Sequence, residues 1–329
     1  MDDSLSRASL LFIAILCLTG SLIYLKSILI PFVISLFLFF MMIPFMGYVH
    51  RKLKLPHLLG LLLACTLVFS MTAILIILAL SSFESFMQDT QEYQNKLADL
   101  MVRVDELLMG IGLNLSSEIN DLRSNISNLP FFNLIKGMAK GFFNFFGQSA
   151  LVLIYLMFLV GGYNHDKEKS PVRTAIEEGV QKYIATKVVA STITAVCVGV
   201  AFKLIGMDLA FMFAIISFLL NFIPNIGSLI AIVFPLPVAF LQFELGVKFY
   251  LVLIIPSIIH FAIGNIIEPK VMGEGLGLHP ITVLLSLMFW GMIWGAAGML
   301  LAVPMTVCIK IIAEQFQSTK IISQFMSGA

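Results

Sequence analysis

Four polar side chains stand where an apolar chain has least use for them. Asn221 and Asn225 flank Pro224 in "SFLLNFIPNIGSL", and His260 and Glu268 follow in "IIPSIIHFAIGNIIEPKVMGEGLGLHP". An amide without a partner in hydrocarbon costs on the order of 4 kcal/mol or more against a cyclohexane-like reference. Asn221 and Asn225 must therefore face protein or a wet cavity. One reading is a polar patch at a helix break that touches solute, with Gly227 and Ser228 beside it; the other is amides that satisfy backbone freed by the proline. Glu268 also has two readings. As a carboxylate beside Pro269 it would bind a cation or proton on a solute path. As the residue that follows about 28 Å of helix, from Phe249 to Ile267, it would emerge at the inner interface with Lys270 as its ordinary neighbour. His260 lies two turns earlier on the same helical side, either as hydrogen-bonded structure or as a proton relay.

The same residues exclude familiar catalysis. His260 is followed by Phe261 and His279 by Pro280, so neither opens an HExxH metal motif. Ser228 in "IGSL" lacks the second glycine expected of an intramembrane serine protease, and the chain has no Walker or GxGxxG sequence. No catalytic residue, metal site or cofactor is implied, and ATP-driven transport by this chain alone is not expected. Cys17, Cys65, Cys197 and Cys308 sit in apolar runs without CxxC spacing, which reads as buried free thiols.

The elements that must position these groups are membrane helices. The chain has 329 residues, 59% hydrophobic and 12% charged, with a mean hydropathy of +1.00; soluble domains are nearer 45–50% and about 25%. A net charge of +1 rules out a broad basic nucleic-acid footprint. The composition predicts an all-α, polytopic helical bundle. Spans are expected at residues 10–25, 28–49, 57–83, 141–163, 188–206 and 249–267, with the first retained rather than cleaved.

Two further runs, 209–243 and 280–313, are too long for one ordinary span. The first is broken at "NFIPNIGS" and the second at "WGAAGM", which holds Gly295 and Gly298. Each is expected to be a hairpin, which would put Asp208 and Glu244 on the same side of the membrane. "GSLIAIVFP" at 227–235 and "GMLLAVP" at 298–304 echo one another, by composition alone or as broken segments in corresponding, inverted halves of a transporter. Between the runs, Pro269 is expected to stop a helix. Gly273, Gly275 and Gly277 then form either a plain loop or a hinge, and His279 and Pro280 open the next run.

Charge sets the orientation. "HRKLK" at 50–54 is the densest basic cluster, so that loop and the N-terminus are expected in the cytoplasm. Residues 84–140 hold eight acids against five bases and are expected outside. There Phe86, Thr90, Tyr93, Leu97, Leu100, Val104, Leu107 and Ile111 repeat at spacings of four and three, and Leu115 to Leu129 repeat the pattern. This is a helix, turn and helix: an oligomerisation stalk, a cover over a transport path, or helices packed on the chain itself. On the inner side, Ser170 is the expected N-cap of an amphipathic helix that begins at Pro171 and runs into the fifth span. The chain thus divides into N-terminal spans (1–83), an external insertion (84–140), a span (141–163), a cytoplasmic amphipathic helix (164–187) and a C-terminal transport core (188–329).

"FIPNIGSLIAIVFPLPVA" with "GNIIEPKVMGEGLGLHPITVLLSLMFWGMIWGAAGMLLAVPM" resembles the bacterial AI-2E family of transporters, the PerM-type permeases. The motif-bearing part covers about 100 residues, and the order of long segments fits nearly the whole chain. Pro224, Asn225 and Gly227 match in the first motif, and Asn265, Pro269, Gly277, His279 and Pro280 in the second. The resemblance implies a secondary transporter of the bacterial inner membrane that exports a small polar solute of the autoinducer-2 kind. Alternatively it exchanges sodium or lithium for protons. It also implies a homo-oligomer, expected as a pentamer, in which a hairpin-bearing unit moves. The competing expectation is a membrane scaffold that does not transport and whose external helices recruit an envelope partner.

Overall fold

In the computed structural model, the described residues are 2–53, 90–110, 149–162, 170–272, 277–317 and 319–328, with single positions between 66 and 88 and at 137. Among them the regular structure is all helical, with five helices long and apolar enough to cross a membrane. The chain is an all-α, multi-pass membrane protein. The expected third span, the second external helix, Gly273 and Gly275 lie outside the described residues.

The helices are α1 (Asp2–Tyr24), α2 (Lys26–Leu53), α3 (Thr90–Gly110), α4 (Ser149–Gly161) and α5 (Pro171–Ile205). They continue as α6 (Ala210–Leu220), α7 (Ile226–Val233), α8 (Leu236–Phe243) and α9 (Val247–Ala262). A π turn (Ile263–Ile267) leads into α10 (Glu268–Met272), followed by α11 (Pro280–Glu314) and α12 (Lys320–Ser327).

They pack as two compact units. The first is built from Met1–Val68, Gln148–Val189 and Glu268–Ala329. In it α2 buries Phe39 and Met42 against Leu156 and Val160 of α4, and the Phe32 ring meets Tyr155 edge to face at 5.7 Å. The start of α5 follows the expected cap: the Arg173 amide donates to the Ser170 hydroxyl at 3.3 Å, ahead of a single 35-residue helix.

The second unit is built from Phe69–Gly147 and Ala190–Ile267. Its core gathers Val198 and Phe202 of α5, Met212 and Phe213 of α6, Val238 and Leu241 of α8 and Val252 of α9. The Phe213 ring contacts both Phe202 and Phe234 edge to face. Helix α3, from the segment expected outside, is part of this core. Tyr93 is buried, its hydroxyl donates to the Asp208 carboxylate, and Leu97, Ala98 and Met101 pack behind it. Of the expected seam, Tyr93 and Leu97 are thus used within the chain. The packed side of α3 runs through Ala98 and Met101, in step with a regular helix.

Both interrupted runs fold back on themselves. In the first, hairpin A, the side chain of Gln242 near the end of α8 donates to the Gly206 carbonyl at 2.8 Å and accepts from the Asp208 amide at 3.0 Å. One residue thereby joins the two ends of the run. A continuous helix would hold Asp208 and Gln242, 34 residues apart, about 50 Å from one another. In the second, hairpin B, the break inside α11 is Gly295, with φ 63° and ψ −141°, a conformation essentially confined to glycine. Beyond it Ser286 donates to the Ala302 carbonyl at 3.1 Å and shares a hydrogen bond with the Thr306 hydroxyl. Those groups lie on opposite arms.

Each arm crossing is placed by one glycine. A Cβ on Gly227 would lie 1.8 Å from the Leu220 carbonyl oxygen, and one on Gly298 would lie 1.9 Å from that of Trp290. Only a residue without a side chain lets the main chains approach so closely. These are the two glycines that open the echoing segments, so the echo corresponds to a shared crossing.

Candidate functional site

Asn221 ends α6 and starts the turn of hairpin A. It is buried, and its amide donates to the Ser191 hydroxyl of α5 at 3.1 Å. Pro224 and Asn225 form the bend, where Asn225 takes φ 59° and stays exposed. The Ser228 hydroxyl donates to the Asn225 carbonyl at 2.9 Å, so Ser228 and Asn225 hold the start of α7. Of the two readings open for the amides, Asn221 bonds side chain to side chain inside the bundle, whereas the Asn225 amide makes no cap bond to α7 and only its main-chain carbonyl is used, by Ser228.

His260 sits on α9 in the same unit. That helix runs beside the hairpin: Phe249 meets Phe240 near its start, and Ile255 and Ile259 pack on the shared core farther along. His260 lies about 20 Å from the start of α9 at the usual rise, and Asn221 about 17 Å along α6. Because both helices leave the closed base of the hairpin, His260 reaches the depth of its turn. The imidazole is 4% exposed, and among the described residues neither ring nitrogen has a hydrogen-bond partner. Ser217, one turn before Asn221 on α6, has a buried hydroxyl in the same condition. Buried polar groups are nearly always satisfied, so these atoms are open hydrogen-bonding capacity.

The buried polar residues of this unit, among those described, are Ser191, Thr194, Ser217, Asn221 and His260. None carries a fixed charge. Sequence reasoning passed over Ser191, Thr194 and Ser217 because hydroxyls are common in membrane helices. The available signal was spacing: Ser217 and Asn221 are four apart, and Ser191 and Thr194 three apart, which aligns each pair on one helical side.

Glu268 belongs to the first unit, where its carboxylate forms an ion pair with the Lys187 ammonium. Lys187 is buried and Glu268 mostly so. The expected neighbour Lys270 is exposed. The helix also does not stop at Pro269, contrary to the sequence expectation: it continues to Met272. The proline ring would clash with the carbonyl four residues back, on Asn265, and that residue lies in the widened π turn. There the Asn265 amide donates to the Phe261 carbonyl at 3.1 Å, which spends its polarity on the backbone.

The expected hinge is partly described. Gly277 has φ 62°, and the space a Cβ would take is occupied by the Lys310 ammonium at 2.7 Å. His279 caps α11, its Nδ1 accepting from the Ile281 amide at 3.3 Å, and Pro280 is the first helical residue. Gly295 and Gly298 form the bend and crossing of hairpin B, as above. The structure thus gathers Asn221, Pro224, Asn225, Gly227 and Ser228 at one turn, keeps His260 on α9 of the same unit, and leaves Glu268 in the other unit. Among the described residues no group of three His, Cys, Asp or Glu side chains is arranged to hold a metal.

A family model described as AI-2E family transporter matches residues 11–318. The chain belongs to the AI-2E family of transporters. Its relatives include a protein of Haemophilus influenzae, 29% identical over 96% of this chain and 94% of its own length. Another, of Borreliella burgdorferi, is 30% identical over 96% and 89%. Both carry the name "Putative transport protein". The AI-2 transport protein TqsA of Escherichia coli K12 is 28% identical over 92% of this chain and 90% of its own. The family and the names of these members are those of transporters, so the buried polar groups belong to a membrane transporter.

Proposed function

We propose that this protein exports a small, uncharged, polar solute of the autoinducer-2 kind by alternating access, with proton rather than sodium coupling. The observation that carries the reading is the open hydrogen-bonding capacity of His260 and Ser217 in a unit whose described buried polar groups have no fixed charge. A neutral, hydroxyl-rich solute exchanges its water for such donors and acceptors at little cost. A desolvated sodium ion needs oxygen ligands and negative charge. The Glu268 carboxylate is balanced by Lys187, which weighs against a cation site there. His260 is the titratable group at the depth of the turn, hence the choice of the proton. The relative named as an AI-2 transport protein supports the solute class. The direction of flux, a pentameric assembly, the bacterial inner membrane and a cytoplasmic N-terminus belong to the same proposal and rest on the family resemblance and the basic "HRKLK" cluster.

Reconstitution into liposomes tests it. Autoinducer-2 flux should follow an imposed proton gradient and ignore sodium, and His260→Asn should retain flux while losing its proton dependence. Lithium or sodium exchanged for protons without any solute would overturn the reading in favour of a cation antiporter.

A further inference from the structure

The C-terminal helix α12 is amphipathic in an inverted sense: its polar side is docked and its apolar side is bare. The docked side braces both ends of hairpin B. The Met326 carbonyl accepts from the His279 amide at 2.8 Å and from the Thr282 hydroxyl at 3.1 Å. Gly328 lies against the His279 ring, with room for no Cβ. At the other end the buried Ser323 donates to Glu314 at 3.1 Å, and Thr319 donates to the Ala313 carbonyl at 2.8 Å. The opposite side presents Ile321, 72% exposed, and Phe325, 86% exposed, with Ile322 between them.

We infer that this bare side is seated in the bilayer surface, at the boundary of headgroups and acyl chains, so that α12 fixes the base of hairpin B at the membrane plane. Three observations choose lipid as the occupant. The helix is bonded to His279 and Thr282, where the apolar first arm of hairpin B begins, which sets it at the edge of the hydrocarbon. Ile281, Leu284 and Leu285, next to that dock, are exposed on the same apolar hairpin, so the bare side of α12 continues an apolar surface of a membrane segment. Finally, residues 315–329 contain Lys320 and no acid, a charge that suits anionic headgroups. Large apolar side chains on a short helix with one polar side are the usual composition of an interfacial anchor.

The test uses the full chain with Cys17, Cys65, Cys197 and Cys308 replaced, a single cysteine at Phe325 or Gln324, and a bimane label, in liposomes that contain lipids brominated near the headgroup. Quenching at position 325 should exceed that at the flanking position 324 by at least twofold, with little response to aqueous iodide at 325. Iodide quenching at 325 without bromine quenching would overturn the inference, since the side would then face water. Efficient cross-linking between labelled copies at 325 without bromine quenching would also overturn it, by making a second copy the occupant. None of these readouts depends on which solute is carried.

Discussion

Hairpins A and B share a crossing and differ in what they do with their polar groups. In both, the second arm meets the first at a glycine whose missing side chain lets two main chains touch. Hairpin B then closes its inner hydroxyls on itself: Ser286, Thr306 and the Ala302 carbonyl satisfy one another. Hairpin A leaves the Ser217 hydroxyl open and lies beside an imidazole with two idle nitrogens. Their bases differ too. The side chain of Gln242 closes A, whereas a separate helix braces B. The same backbone device thus supports one hairpin built to keep its shape and one with room for a guest.

The shared crossing is the easiest part to break. Gly227→Ala and Gly298→Ala each place a Cβ inside the radius of a carbonyl oxygen, and each should cost about 3 kcal/mol, the upper part of the range for overpacking. Thermal unfolding in detergent should show similar drops. A large loss at one position and none at the other would mean that the echo is not a shared geometry.

Comparable in size is the ion pair that the first unit buries. Lys187→Met leaves the Glu268 carboxylate with no ion-pair partner and should cost about 3 kcal/mol, while Lys187→Met with Glu268→Leu should recover most of it. Failure of the double variant to recover stability, with transport lost as well, would give the pair a role beyond structure.

Removing the clasp of hairpin A is a smaller change. Gln242→Leu should cost about 1–2 kcal/mol, since the Asp208 amide and Gly206 carbonyl each lose a partner. Hydrogen exchange should rise around 206–210 but not around 279–282. Equal rises at both bases would erase the distinction drawn between the hairpins.

The smallest effect is the sharpest. Ser286→Ala should cost about 1 kcal/mol because it leaves Thr306 with one bond fewer, whereas Ser217→Ala should change stability by less than about 0.5 kcal/mol because the hydroxyl has no partner to lose. Transport should respond the other way, falling with Ser217→Ala and persisting with Ser286→Ala. Stability measured alongside flux for the two variants checks both halves.

What the sequence made legible follows from chemistry that acts locally. Pro224, Gly227, Gly295 and Gly298 announce breaks in apolar runs because their effect on the backbone needs no partner, and the hairpins were readable from them. Ser170 and Pro171 likewise declared the start of α5. The pairing of Glu268 with Lys187 was not readable, because 81 residues separate them and only packing brings them together. Pro269 misled for a related reason: the rule that proline ends a helix holds for a regular ladder, and a π turn around Asn265 supplied a different one. His260 stayed ambiguous because burial alone does not say whether an imidazole has a partner; only coordinates show its two nitrogens idle.

The clasp at Gln242 also sets a schedule. Asp208 and Gly206 leave the ribosome 34 and 36 residues before the side chain that closes them, a gap of roughly 2–7 s at about 5–20 residues per second. During that interval α6, 11 residues and about 16 Å long, is too short to cross about 30 Å of hydrocarbon alone. The first arm therefore has no closed base until the second arm returns with its amide, and hairpin A is expected to enter the membrane as a pair.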